Sequence, residues 1–441
     1  MKNTLYTRFW RLHFYAALFI TPLLLSLTLS GIGYLFYTDV ENQLYDNYFF
    51  GDSGKTENLS IDDAVKQAEQ AYAGYHTMKI IELEEPYNTR LTMMNADGAE
   101  KYLFLDEHNQ IIGGQDAAYT FANIIRNLHS SLFIGGTFVN YLVELAACWA
   151  IFLLLSGVYM TVSAKLFKKT KQSNKRQTSR RIHALLGVII TIPMVVIIFT
   201  GLPWSALMGK FIYSAAQEHP SIGVPLLQQQ PPTSDMSEIP WATRQETAPS
   251  SHAHHGASGH VVTANPYRLT IEKLQQEIDG MAIAKPYAII YPMTEDGVYT
   301  VAKSSNTGVT GLDVSPYDET TMYFDQYSGA FIDKVDYADY GILAKWFTWG
   351  IPLHEGHLFG WPNKVMNLLV CIAFLVVIIW GFRTWLLRKK QGQLSAPPTM
   401  HKTLSIPFIL FMIVLGMIMP LFGLSLLIVV LVEWIIQRFK K

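Results

Sequence analysis

The amino-acid sequence predicts a polytopic α-helical membrane protein built on an internal repeat, with a C-terminal helical hairpin and two small α+β modules outside the bilayer. Three observations predict it. Half of the 441 residues are apolar and only 16% are charged, a balance found in membrane proteins rather than cytosolic enzymes. Four apolar stretches, at about 14–37, 134–162, 184–207 and 365–387, each reach the roughly 20 helical residues that a hydrocarbon core requires. The segments between them alternate between short basic loops and long mixed excursions. A formal net charge of -1 gives no reason to expect nucleic acid as a partner.

Residues 1–37 form the first helix. Lys2, Arg8 and Arg11 precede an apolar run without a small-residue cleavage site, so this segment is expected to stay as an anchor. The first outward module spans 38–128. There Ser60 and the acidic pair Asp62 and Asp63 open an amphipathic helix to about Tyr72, a serine cap with an acidic first turn. Strand-like runs follow at 80–83, 89–94 and 101–106, with a turn at 95–98 between the last two. The second helix covers 129–163 and a basic loop covers 164–182, with Lys165, Lys168, Lys169, Lys171, Lys175, Arg176, Arg180 and Arg181 at its heart. After the third helix at 183–207, the second module at 208–350 repeats the order, with a helix at 270–278 and strands at 287–291, 298–303 and 321–324. Within it, about 225–264 is rich in Pro, Gln, Ser and His, the composition of a linker that buries no core. The fourth helix spans 351–388 and a loop 389–402. The last stretch, 403–438, is too long for one crossing and is broken at 419–423, where Pro420 and Gly423 favour a turn. Six crossings place every basic segment on one side, which is the cytoplasm by the positive-inside rule. Both termini are then cytoplasmic and both modules face outward.

The halves match in residues as well as layout. His13 precedes Gly31 by 18 positions, and His183 precedes Gly201 by the same 18. Leu128-His129 opens the second helix as Leu353-His354 opens the fourth. The histidines sort by depth, His13 with His183 at the inner ends and His129 with His354 at the outer ends. A lone histidine at a helix end is ordinarily an interfacial polar residue. Four at matched positions, between repeats where duplicated membrane proteins commonly place their sites, point to a shared role. Ligands at opposite membrane surfaces cannot converge on one tetrahedral zinc. Neutral imidazole is, however, a frequent axial ligand of haem iron. Two histidines from facing helices would hold one haem from both sides and leave no open position, a site for electron transfer rather than oxygen binding. Two such sites, stacked, would carry electrons across the bilayer. The two cysteines, Cys148 and Cys371, lie in apolar runs and outside any Cys-x-x-Cys-His motif, so neither a disulfide framework nor covalently attached haem is expected.

His357, one turn beyond His354, is an alternative ligand or a partner for a haem propionate; His354 is preferred because it aligns with His129. Glu355 either orients an imidazole or stays solvated. Trp204, Trp346, Trp349 and Trp361 read as an interfacial aromatic belt. His252, His254, His255 and His260 make a weak candidate metal site, but their linker offers no preorganised geometry and a solvated segment is the favoured reading. No Gly-x-Gly-x-x-Gly turn follows a strand, so no dinucleotide domain is expected and the electron donor is a quinol or a separate cytoplasmic reductase. Two rival readings stand beside this one. In one, the outward modules regulate or bind an envelope protease or another partner and the helices only anchor them. In the other, the repeat builds a small-solute transporter, though no acidic residue except Glu144 sits mid-helix, which leaves coupling-ion chemistry little to use.

The residues also carry a family likeness. Arg11-Leu12-His13, Leu128-His129, Arg180-Arg181-Ile182-His183 with Thr200-Gly201, and Leu353-His354-Glu355-Gly356 resemble the PepSY-associated transmembrane family, which includes integral membrane siderophore reductases and iron-regulated membrane proteins. Residues 60–114 look like a PepSY domain, with the Ala64-Val65 helix and a closing stretch at 105–113. The resemblance runs through the fourth helix. It implies two b-type haems held by His13, His183, His129 and His354 in a four-helix core. It also implies reduction of a ferric siderophore or other ferric chelate on the periplasmic face of a bacterial inner membrane. The sequence departs from the family pattern in lacking a glycine shortly after His13, in its His-rich linker and in its C-terminal hairpin.

Overall fold

A computed structural model describes residues 4–168, 174–224, 268–293, 297–305, 308–390, 393–398 and 405–439. The first half of the chain forms helices α1 (Thr4–Tyr34), α2 (Tyr37–Leu44), α3 (Asp46–Phe50) and α4 (Ile61–Ala71). Strands β1 (Tyr75–Glu82), β2 (Thr89–Asn95), β3 (Glu100–Leu105) and β4 (Ile111–Asp116) come next, and helices α5 (Phe121–Ser131), α6 (Thr137–Ser163), α7 (Lys175–Gly201) and α8 (Met208–Glu218) after them. The second half forms α9 (Ile271–Gly280), β5 (Tyr287–Ile290), β6 (Val298–Lys303), β7 (Thr320–Asp325) and β8 (Phe331–Asp336). It ends with α10 (Ile342–Glu355), α11 (Trp361–Leu386), α12 (Ile406–Ile418) and α13 (Pro420–Phe439). The chain divides into a helical unit, Met1–Leu35 with Ile125–Tyr213 and Leu353–Lys441, and a sheet unit, Phe36–Ile124 with Ser214–Pro352.

In the helical unit four helices are long and apolar enough to cross a membrane, Leu5–Tyr34, Thr137–Ser163, Lys175–Trp204 and Trp361–Leu386. Leu24, Ala146, Ala150, Ile190, Met194, Val370 and Phe374 meet in their shared interior. Phe19, Ile192 and Leu369 stay exposed, as side chains facing lipid do. The expected second and fourth helices are each broken near the start. Leu132, Phe133, Gly135 and Gly136 have positive φ between α5 and α6, and Gly356 and Gly360 do so between α10 and α11. Such left-handed residues cannot continue a helix. His129 and His354 therefore end short helices instead of opening long ones.

The C-terminal break expected at 419–423 is present, and Gly416 and Gly423 allow α12 and α13 to touch there, since a Cβ on Gly416 would lie 3.2 Å from the Gly423 Cα. The tip reaches only half-way along α6. Phe422 stacks on Trp149 and Phe152 with ring centres 4.7 and 5.8 Å apart, and Trp149 Nε1 donates to Ser425 Oγ at 3.1 Å. Phe408, near the start of α12, meets Phe9, which itself packs on Tyr159 near the end of α6. The two arms thus turn back in the middle of the bundle, where two further crossings were expected.

The sheet unit corrects the picture of two separate modules. Its strands form one eight-stranded antiparallel sheet in the order β4-β3-β2-β1-β5-β6-β7-β8. The halves join through β1 and β5, from Lys79 opposite Ile290 to Glu82 opposite Tyr287, a pairing that removes two open sheet edges. A single apolar core runs across the join, with Ile61, Ala64, Ala68, Ile80 and Leu91 from the first half and Ile271, Leu274, Ile289 and Val301 from the second. Ser60 caps α4, as expected, by accepting from Asp63 N. Thr270 makes no such bond at the start of α9; instead Asp62 accepts from Ile271 N and Glu272 N at 2.9 and 3.1 Å. Strands β4 and β8, where sequence alternation is weak, were not anticipated. The linker at 225–264, with His252, His254, His255 and His260, lies outside the described residues.

Candidate functional site

The helical unit brings the four matched histidines together as two pairs. His13 on α1 and His183 on α7 have ring centres 6.3 Å apart and planes at 88°. His129 on α5 and His354 on α10 have ring centres 6.3 Å apart and planes at 69°. Along α1 the interval from His13 to Gly31, against which His129 packs, is about 27 Å at ~1.5 Å per residue. The pairs are therefore separate sites near opposite ends of the bundle.

Each ring is fixed through Nδ1. His183 bonds Val377 O at 2.8 Å and His354 bonds Ile197 O at 2.6 Å. A carbonyl only accepts, so in both rings Nδ1 carries the proton and Nε2 keeps its lone pair. His13 Nδ1 lies 2.8 Å from Ser156 Oγ, and His129 Nδ1 lies 3.0 Å from Ser30 Oγ. Both serine hydroxyls donate to their own helix backbone, Ser156 to Leu153 O and Ser30 to Ser26 O. Their oxygens are thus left to accept from Nδ1, and the same tautomer follows from this network.

A glycine on a neighbouring helix lets every ring approach closely. A Cβ on Gly201 would lie 2.8 Å from His354 Cε1, and one on Gly381 would lie 2.9 Å from His183 Cε1. The corresponding contacts are 3.5 Å from Gly31 to His129 and 3.7 Å from Gly157 to His13.

Two neutral imidazoles so arranged can ligate one ion from opposite sides. About 2 Å from each nitrogen to the metal, plus roughly 1.1 Å from nitrogen to ring centre, places the centres about 6.2 Å apart, close to the 6.3 Å separation in both pairs. Bonding of the second ring nitrogen to a carbonyl or hydroxyl is what orients a metal-ligating histidine. Among the described residues no group of three or more His, Cys, Asp or Glu is placed to hold a metal ion. Each pair therefore offers two protein ligands.

The remaining candidates fall elsewhere. His357 Nδ1 lies 3.8 Å from Glu355 Oε2, an ion pair when His357 is protonated. Glu144 is buried and its carboxylate accepts from Leu207 N and Met208 N at 2.7 and 3.3 Å, which occupies it in fixing the chain at the start of α8. Trp204, Trp346 and Trp361 are exposed, and Trp349 Nε1 donates to Tyr337 Oη. Cys148 and Cys371 are free thiols. Sequence reading missed Ser30, Ser156, Gly157 and Gly381 as site residues, and also Asn367, whose buried amide donates to Leu353 O and His354 O and so holds the end of α10. The repeated Ser-Gly dipeptide at 30–31 and 156–157 is the signal that would have found the first three.

The family model for the PepSY-associated TM region matches residues 10–388, a span that contains all four histidines. No curated protein matches the chain. The chain belongs to the PepSY-associated transmembrane family.

Proposed function

We propose that this member of the PepSY-associated transmembrane family passes electrons across a bacterial inner membrane through two b-type haems, reducing a ferric siderophore or another ferric chelate on the periplasmic face. The observation that carries the reading is the pair of matched histidine sites, each with two lone-pair nitrogens on rings whose centres lie 6.3 Å apart, a spacing that would suit two histidines sharing one iron. Haem, when bound, supplies a one-electron couple at each site. His13 with His183 would hold one haem and His129 with His354 the other, an arrangement suited to electron transfer rather than oxygen binding. Ser156, Val377, Ser30 and Ile197 hold the rings in the ligating tautomer. The glycines keep neighbouring helices from displacing them. The reductant is a quinol or a cytoplasmic reductase at the inner site. One electron converts Fe(III) to Fe(II), which hard oxygen donors hold less tightly, so that the chelate releases its iron.

A pyridine haemochrome assay with reduced-minus-oxidised spectra tests the reading on detergent-purified protein. About two b-type haems per chain are expected, with one lost in His13→Ala and one in His354→Ala. Protein made with ample haem supply and carrying none would sink it in favour of an anchored module that binds an envelope partner.

A further inference from the structure

The inner histidine pair has a basic rim to which axial ligation assigns no part. On α7, Arg176, Arg180 and His183 fall on one face, and on α1, Tyr6, Trp10 and His13 do the same, by helical spacings of four and three. The two stripes are tied where Arg180 donates to Tyr6 Oη at 2.9 Å. Arg388, just past the end of α11, lies with its guanidinium 5.0 Å from the ring centre of Trp10 and 5.2 Å from that of Phe14. Its Nε is shut from solvent with no hydrogen-bond acceptor among the described residues. Burial, and then repulsion from Arg176, push the Arg388 guanidinium below the ordinary arginine value.

The stretches of chain that carry these groups contain no carboxylate. Residues 1–35, 145–213 and 356–432 contain no Asp or Glu at all. Gathered guanidinium groups, one with a desolvated N–H that no described residue satisfies, call for an anion, and the arginine fork matches carboxylate or phosphate. Arg180 and Arg176 stand roughly 4.5 and 10 Å from His183 along the helix axis, within reach of acidic substituents on the rim of a tetrapyrrole held at that histidine.

We propose that Arg176, Arg180 and Arg388 form a carboxylate-binding site for the propionates of the tetrapyrrole at the His13–His183 pair. The inference rests on the two-haem reading. A lipid phosphate offers the same chemistry, and the test separates the two sources. Full-length apoprotein from a haem-starved host is titrated with haem b or with its dimethyl ester, which lacks the charges, and co-purified phospholipid phosphate is measured alongside. His354→Ala leaves the inner site alone to be read, and His13→Ala the outer.

At the inner site, haem is expected to bind about 10-fold or more tighter than its ester, the scale of a lost charge-assisted hydrogen bond of ~1.5 kcal/mol. The preference should vanish in the triple variant Arg176→Gln, Arg180→Gln, Arg388→Gln and return in the lysine triple, which keeps the charge and shows that the glutamine variant was not merely misfolded. The outer site should be unaffected. A glutamine variant that keeps the preference while losing phospholipid phosphate would overturn the proposal in favour of a lipid site. Wild-type protein that takes up neither tetrapyrrole would overturn the two-haem reading and this site with it.

Discussion

The two halves of the chain support their histidines by different means. In the first half, His13 and His129 lean on serine hydroxyls and sit 3.7 and 3.5 Å from where a glycine Cβ would be. In the second half, His183 and His354 bond main-chain carbonyls and lie 2.9 and 2.8 Å from theirs. Each pair therefore joins one ring held by a replaceable side chain to one held by backbone and wedged against a neighbouring helix. Both pairs combine the same two kinds of support and share one ring separation of 6.3 Å.

This contrast is sharpest at the glycines. Gly201→Ala and Gly381→Ala should each displace a ring that has no room to yield, and lower haem affinity at one site by at least about 10-fold, read by haem titration. Gly31→Ala and Gly157→Ala should change it only a few-fold. Alanine favours a helix over glycine by about 1 kcal/mol, so unchanged or raised thermal stability would show that the lost haem is not unfolding. An equal effect in all four would break the comparison.

Smaller effects are expected at the serines. Ser156→Ala and Ser30→Ala leave Nδ1 without its acceptor and should weaken haem binding by roughly 10-fold or less at the inner and outer site respectively. No side-chain substitution can reproduce this at His183 or His354. In the sheet unit the same borrowing recurs, because the first half caps the helix of the second. Asp62→Ala should cost about 1 kcal/mol in denaturant unfolding and loosen α9 more than α4, as hydrogen exchange would reveal.

The smallest effect is a pH dependence. Burial of Asp106 opposes its ionisation, but hydrogen bonds from Ser53 and from the backbone of Gln110 and His108 outweigh it and hold the carboxyl below the usual aspartate range. Its contribution to folding is therefore fully present above about pH 3.9 and lost as pH falls through the lower folded value. Asp106→Asn should flatten that part of the acid unfolding curve.

Much of this was legible in the sequence. Apolar length located the four long helices, and the repeat identified which histidines correspond. Their pairing was legible because His13 with His183, and His129 with His354, share a depth. The glycine at 381 was not, since nothing in a 3.6-residue apolar pattern distinguishes a glycine under an imidazole from any other small residue in a packed bundle. The carbonyls of Ile197 and Val377 leave no sequence trace, because every residue has one. The fusion of two modules into one sheet was hidden for a related reason. Edge strands β1 and β5 read alike whether they meet each other or solvent, and only their continuous burial reveals the partner.

The C-terminal hairpin bears on how the chain can be threaded into a membrane. A loop that enters and leaves by one face adds nothing to the parity of crossings, so the four long helices alone set it, and that count is even. Reporter enzymes fused after Pro397 and after Lys441 should then signal from one compartment, the same one that a reporter at the N-terminus marks. Removing α12 and α13 would leave that signal as it was, while stripping α6 of the aromatic wedge that Phe422 drives against Trp149.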